Sequence, residues 1–133
     1  MRFMLDTSTC ILLIRKKPPR ILEQVARCAP GDLGMSAVTV AELEYGVAKS
    51  SQRERNREAL EEFLLPLEVA EYDRNAARAY GLVRAELESR GTPIGSLDML
   101  IAAHALSLGV TVVTNNTREF KRVPTLQVVD WSR

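Results

Sequence analysis

Zinc frameworks, disulfide scaffolds and membrane spans are excluded first, because the chain lacks what each requires. Its 133 residues include two cysteines, Cys10 and Cys28, and one histidine, His104. Two cysteines without CxxC spacing supply neither a structural zinc site nor a disulfide framework. Both fall at apolar-periodic positions and read as buried thiols in a reducing compartment. No window approaches the ~20 uninterrupted apolar residues of a membrane span. The first residues lack a basic segment followed by a long apolar stretch, and Asp6 interrupts the only candidate, so no signal peptide is expected and the cytoplasm is the expected compartment. Aromatic residues make up only 5 %, leaving Tyr45, Tyr72, Tyr80, Phe120 and Trp131 as the few platforms for base stacking. The formal net charge of +1 gives no whole-molecule field for nucleic acid.

What is present is an ordinary globular composition, 46 % apolar and 26 % charged, in a length that predicts one domain over residues 1–133. Any nucleic-acid affinity must come from local clusters. Three basic ones occur: Arg15-Lys16-Lys17 with Arg20; Arg53, Arg55 and Arg57; and Arg118, Lys121 and Arg122. The second reads as the solvated face of a charged helix. The first and third lie close in sequence to Asp6 and Asn116, where a functional reading stays open beside the solvated one.

Hydrophobic patterning alternates strand and helix. Arg2 to Leu5 reads as a short buried strand, followed by a helix-start signal in Asp6-Thr7-Ser8-Thr9. Cys10 to Arg15 is helical until Pro18-Pro19, and Ile21 to Cys28 forms a second helix closed by Pro30-Gly31. Leu33 to Ser36 is a strand, Val38 to Lys49 a helix, Arg53 to Leu65 a charged helix ending at Pro66, and Leu67 to Tyr72 strand-like. Asp73 caps a helix that runs to Gly91, and Ser96 opens a helix from Leu97 to Leu108 that ends at Gly109. Val110 to Thr114 and Leu126 to Val129 are the last strands. Such alternation predicts an α/β fold, whose ligands bind at the carboxyl ends of parallel strands.

Carboxylates and amides occupy those ends. Asp6 follows the first strand, Glu42 lies in the opening turns of its helix, Asp98 is in the first turn of another, and Asn115, Asn116 and Glu119 follow the Val112-Val113-Thr114 run. Acids gathered in one cleft raise one another's pKa unless a cation sits between them. Magnesium and manganese, hard ions that take oxygen ligands and phosphate oxygens, fit that need. Each acid alone has a plainer reading: Asp6 as an N-cap, Glu42 as a solvated helix acid, Asp98 as a favourable charge at a helix start. Their ordered placement at successive strand ends is what argues for a shared site. His104, six residues after Asp98, is turned about 600° along a helix, away from the Asp98 face, and reads as packing or helix surface.

The runs Met4-Leu5-Asp6-Thr7-Ser8, Ser36-Ala37-Val38-Thr39-Val40-Ala41-Glu42-Leu43-Glu44-Tyr45-Gly46, Asp98-Met99-Leu100-Ile101-Ala102-Ala103-His104-Ala105 and Val113-Thr114-Asn115-Asn116-Thr117-Arg118-Glu119-Phe120 together resemble a PIN-domain protein. The similarity is greatest to the VapC toxins of bacterial toxin–antitoxin pairs. It covers essentially the whole chain, including the terminal Asp130-Trp131. The resemblance implies a three-layer α/β/α domain with a central, mainly parallel sheet of 4–5 strands. It also implies a Mg²⁺- or Mn²⁺-dependent endoribonuclease, with Asp6 and Asp98 as direct metal ligands and Glu42 holding the ion or its water. Many relatives carry a fourth acid where Asn116 stands here. Asn116 could coordinate through its carbonyl oxygen, or Glu119, one helical turn on, could supply the charge.

Thr7, Ser8 and Thr114 carry hydroxyls that can orient water on the ion or simply cap, and with Arg118 they form the candidate substrate-binding set. Hydrolysis of an RNA phosphodiester by ion-activated water predicts a 5′-phosphate and a 3′-hydroxyl. The resemblance points to tRNA as substrate, with an initiator tRNA anticodon loop as one candidate. It further implies a cognate VapB-type antitoxin whose Arg or Lys enters among the acids, a helix-receiving surface around Ile11, Leu12, Val47 and Leu64, a homodimer, no membrane, and contact with DNA only through the antitoxin. Two other classes are weighed against it. A phospho-receiver module needs an adjacent acidic pair after the first strand, an acceptor Asp after the third and a Lys after the last, and none is present. A catalytically weak or inactive PIN-like module that binds RNA or protein is the nearer alternative, because Asn116 departs from the full acidic set.

Overall fold

A computed structural model describes residues 1–133. In chain order the elements are β1 (Phe3–Leu5), α1 (Thr7–Arg15), α2 (Pro19–Ala26), β2 (Leu33–Ser36), α3 (Ala37–Lys49), α4 (Arg53–Leu64), β3 (Glu68–Ala70), α5 (Arg74–Ser89), α6 (Ser96–Leu108), β4 (Thr111–Val113), α7 (Thr117–Phe120) and β5 (Val128–Val129). The five strands form one sheet in the order β3-β2-β1-β4-β5, every pair parallel. Because β1 is central and the chain then runs outward first to one side and later to the other, the ends of β1, β2 and β4 lie together. That places Asp6, the opening of α3 and residues 114–116 at one edge.

Alternation along the strands divides the interior into two cores. Met4 and Val112 face one side, where they pack with Val83 and Leu87 of α5, the apolar residues of α6, and Phe120 and Val123 beyond. Leu5, Met35 and Val113 face the other, against Cys10 and Leu13 of α1, Ile21 of α2, Leu43 and Val47 of α3, Leu60 of α4 and Trp131. The result is three layers, with the expected architecture and the upper expected strand count. α6 is buried over Met99 and Ile101 to Ala105, as a helix apolar on all sides must be. Its alanines let α5 approach closely.

Several boundaries differ from the pattern reading for local reasons. α1 begins at Thr7 because Asp6 is its N-cap, its carboxylate accepting from the Thr9 amide. α2 begins at Pro19, where proline at the first helical position loses nothing, and ends before Cys28. The strand-like Leu67 to Tyr72 pairs only over Glu68–Ala70, at the sheet edge. Gly34 of β2 allows β3 its close approach: a Cβ there would stand 2.5 Å from the Glu68 carbonyl oxygen. Cys10 is buried, and burial pushes its thiol pKa up. Cys28 is only half-buried, a correction to its expected burial, because it falls after the last turn of α2. No helix is long and apolar enough to cross a membrane.

Candidate active site

Asp6 is 2 % exposed yet meets three kinds of donor. Oδ1 accepts from the Thr9 amide at 2.9 Å, Oδ2 accepts from the Thr114 hydroxyl at 2.5 Å, and the Ser8 hydroxyl lies 3.1 and 3.0 Å from the two oxygens. An ionised carboxylate offers about four acceptor positions, so little remains for anything but one further partner. Thr114 ties this arrangement to the next loop by accepting from the Asn116 amide at 2.9 Å. Its burial at the end of β4 follows from the parallel pairing of β4 with β1.

Glu42 projects from α3, whose N-cap Ser36 closes β2. Its Oε1 accepts from the Thr7 hydroxyl at 2.6 Å. Glu119, in the short α7, accepts from the side-chain amide of Asn116 at 2.9 Å. Asp98 is half-buried in the first turn of α6, where no side chain caps the helix. Burial raises its carboxyl pKa to about 6, and the negative charges of Asp6, Glu119 and Glu42 add to that in decreasing order. Four acids, Asp6 at the N-cap of α1, Glu42 in α3, Asp98 in α6 and Glu119 in α7, therefore face one cleft, and burial together with their mutual repulsion makes Asp98 resist ionisation.

The donor set suits one class of ion. No three His, Cys, Asp or Glu side chains stand together at ligand spacing, so the acids do not form a closed cage. An ion that binds one or two carboxylates, keeps several waters and takes phosphate oxygens matches an open cleft of oxygens; zinc, which favours four nitrogen or sulfur ligands, does not.

Of the four side chains expected to hold substrate, three spend their hydroxyls inside the cleft: Thr7 on Glu42, Thr114 on Asp6, and Ser8 between Asp6 and Asn115 Oδ1 at 2.8 Å. Arg118 is exposed and pairs with no acid. Pattern reading gave no role to Asn115 or Thr39, and the signal for Thr39 was a polar residue at a buried position one turn before Glu42. His104 is buried as packing requires. Its Nδ1 lies 2.8 Å from Ser36 Oγ, its ring meets Tyr72 edge-on at 4.8 Å, and burial lowers its pKa. Beside the cleft, an apolar groove of about 200 Å³ runs between α1, α3 and α4, lined by Ile11, Ile14, Leu43, Val47 and Leu60, with Glu42 and Arg15 at its rim. Ile11 is partly exposed there, whereas Val47 is buried.

A parallel β3-β2-β1-β4-β5 sheet with acids gathered at its carboxyl edge defines the PIN-domain class, and the PIN-domain family pattern matches residues 3–126. Within that class the chain belongs to the VapC family. It is 47 % identical over 131 residues to the tRNA(fMet)-specific endonuclease VapC of Salmonella typhimurium, covering 98 % of each chain. It is 40 % identical over 134 residues to ribonuclease VapC2 of Rickettsia felis, covering all of both. The fold superposes on DNA-bound VapBC from Salmonella typhimurium with a TM-score of 0.95 at 46 % identity, covering 98 % of each chain, and on VapBC-1 from nontypeable Haemophilus influenzae with 0.93 at 37 %, covering both in full. Nucleases of this family depend on divalent metal.

Proposed function

We propose that this chain is the toxin of a type II toxin–antitoxin pair, a Mg²⁺- or Mn²⁺-dependent endoribonuclease that cuts tRNA in the cytoplasm and so inhibits translation. The observation that carries the reading is the gathering of Asp6, Glu42, Asp98 and Glu119 around one cleft at the carboxyl edge of the sheet, close enough for the other three charges to act on Asp98. The 47 % identity to an endonuclease named for tRNA(fMet) supports initiator tRNA as the substrate. The similar solved structures are VapBC complexes, two of them bound to DNA, which supports a VapB-type antitoxin as partner and DNA contact through it. The apolar groove beside Glu42 is the surface we assign to that antitoxin, and we expect a homodimer and one functional domain over residues 1–133.

A bound divalent ion supplies Lewis-acid charge at the scissile phosphate and an activated water. Asp6, immobilised by its three donors, and Asp98, which carries no competing hydrogen bond, are the direct ligands in this reading. Asp98 gives up its proton as positive charge arrives, so ion uptake is coupled to proton release. Glu42 orients the attacking water. Glu119 restores the negative charge that Asn116 lacks, while Asn116 holds it by donating its amide. Ser8 and Thr114 border the position of the phosphate, Thr7 reaches it only through Glu42, and Arg118, exposed and unpaired, contacts the RNA backbone.

The test is incubation of the purified protein, freed of any partner, with total bacterial tRNA in Mg²⁺ or Mn²⁺, beside EDTA and Asp98→Asn controls. Discrete cuts ending in 5′-phosphates and lost in both controls are expected. Intact tRNA in every arm, with RNA binding retained, would replace this reading with that of a PIN-like module that binds without cutting.

A further inference from the structure

Glu42 is the only acid of the cleft whose anchor comes from a second helix and is itself anchored in turn. Thr7 Oγ1, in the first turn of α1, lies 2.6 Å from Glu42 Oε1 and 3.3 Å from Thr39 Oγ1. A hydroxyl has one proton, and an ionised carboxylate can only accept. The 2.6 Å separation is that of an O–H···O⁻ bond, so the Thr7 proton belongs to Glu42 and Thr7 must accept from Thr39. Thr39 is fully buried, and its hydroxyl has no other side-chain partner in the structure. The two threonines thus donate in one direction, from the interior to Glu42.

Without that tether Glu42 has a second place to go. It sits on the border between the acid cleft and the groove between α1, α3 and α4, and Arg15 lines the same groove. A free glutamate with three other acids, Asp6, Asp98 and Glu119, on one side and a guanidinium on the other swings toward the guanidinium. We propose that Thr7, supported by Thr39, is a positioning residue that holds Glu42 on the cleft side, with Oε1 occupied and Oε2 left for a divalent ion or its water. This deepens the metal-nuclease reading and rests on it. Thr7, expected from the sequence to help hold substrate, then acts through Glu42, to which its hydroxyl is committed, rather than by contacting the RNA.

The experiment compares wild type with Thr7→Val, Thr7→Ser, Thr39→Val and the double change Thr7→Val with Arg15→Ala, by Mn²⁺ titration without RNA and by tRNA cleavage at saturating Mn²⁺. Thr7→Val is expected to weaken Mn²⁺ binding about tenfold, the scale seen when a group orienting a metal ligand is lost. It should also lower kcat with KM for tRNA unchanged. Thr7→Ser, which keeps the hydroxyl, restores both, and removing Arg15 from the Val variant recovers part of the Mn²⁺ affinity. Thr39→Val shows a smaller loss of the same kind and stands in if Thr7→Val fails to fold. Mn²⁺ affinity and kcat in Thr7→Val equal to wild type, a raised KM alone, or a Ser variant as impaired as the Val one would each overturn the proposal. A wild-type protein that neither binds Mn²⁺ nor cuts tRNA would instead overturn the function on which it rests.

Discussion

The side-chain amide of Asn116 donates to Glu119 Oε2 at 2.9 Å, and the charge of that same glutamate helps raise the Asp98 carboxyl pKa. An amide at position 116 brings no charge of its own, yet it fixes a charged neighbour within reach of the cleft. In the proposed site, position and charge are thus divided between two residues three apart.

Glu119→Gln is therefore expected to lower RNA cleavage by about 10–100-fold, the range for loss of a group that tunes a metal site. Glu44→Gln is the matched control, because Glu44 is spent on an exposed pair with Arg57 at 2.6 Å, away from the acids. That change should leave cleavage within about twofold, since exposed pairs contribute little. Equal rates for the two variants would remove Glu119 from the site.

Asp98 makes the metal-free protein pay for its own site. Its folded pKa of about 6 lies above the ordinary 3.8, so the fold favours the protonated form. The contribution to stability is complete below about pH 4 and is lost as pH rises through about 6. Asp98→Asn, neutral throughout, should make the metal-free protein more stable than wild type at pH 7.5 by about 1 kcal/mol, after allowing for solvent screening at a half-exposed group. The gap should close toward pH 4, and Mg²⁺ should raise the melting temperature of wild type but not of the variant. Urea melts at several pH values in EDTA and in Mg²⁺ decide this; a variant less stable at pH 7.5 would refute it.

The α/β class and its parallel strands were legible in the sequence, because each short apolar run abuts a helix start, and the family resemblance implied the three layers. The order β3-β2-β1-β4-β5 is instead a long-range property that the structure supplies. Leu33–Ser36 is bounded in the structure as its pattern indicates. What pattern reading left out is long-range or local in a different way. The Ser8–Asn115 contact joins residues 107 positions apart, and the Thr7–Glu42 bond joins residues 35 apart. Periodicity carries no information about which hydroxyl meets which acid. α7 is a single four-residue turn, too short for a repeat to register. The helical phase of His104 set it off the Asp98 face but left packing and helix surface both open. Burial beside Ser36 decides for packing, and that partner was not legible, since a serine before a helix already has a sufficient reading as a cap.

Two backbone positions give opposite expectations. Thr125 is exposed with φ of 66°, a left-handed conformation that disfavours a β-branched residue, whereas Gly109 closes α6 at φ of 68° where glycine carries no such penalty. Thr125→Asn should stabilise by about 0.5–1 kcal/mol and Gly109→Ala should destabilise by about 1 kcal/mol. Thermal melts of both, read against wild type, test the pair; a shift of the same sign in each would contradict it.

His104 is expected to contribute to the acid sensitivity of the fold, apart from the acids of the cleft. Ser36 Oγ accepts from the Val38 amide at 3.0 Å and lies 2.8 Å from His104 Nδ1, which accepts the Ser36 proton in the neutral imidazole, while the ring faces the Glu71 backbone with its other nitrogen. Burial favours that neutral form. Burial lowers the folded pKa below the ordinary 6.5, with the Glu71 backbone and Asp73 opposing it more weakly. Stability from this group is therefore present above pH 6.5 and lost as pH falls through the lowered folded value. His104→Asn keeps an acceptor for Ser36 and cannot titrate. It should cost stability at pH 7.5, about 1–3 kcal/mol for a lost ring and one unsatisfied partner, yet lose less than wild type on going from pH 6.5 to 5. Urea melts of the two proteins at these three pH values measure the difference. Parallel pH curves would show that His104 stays neutral in the unfolded chain's range and that acid sensitivity arises elsewhere.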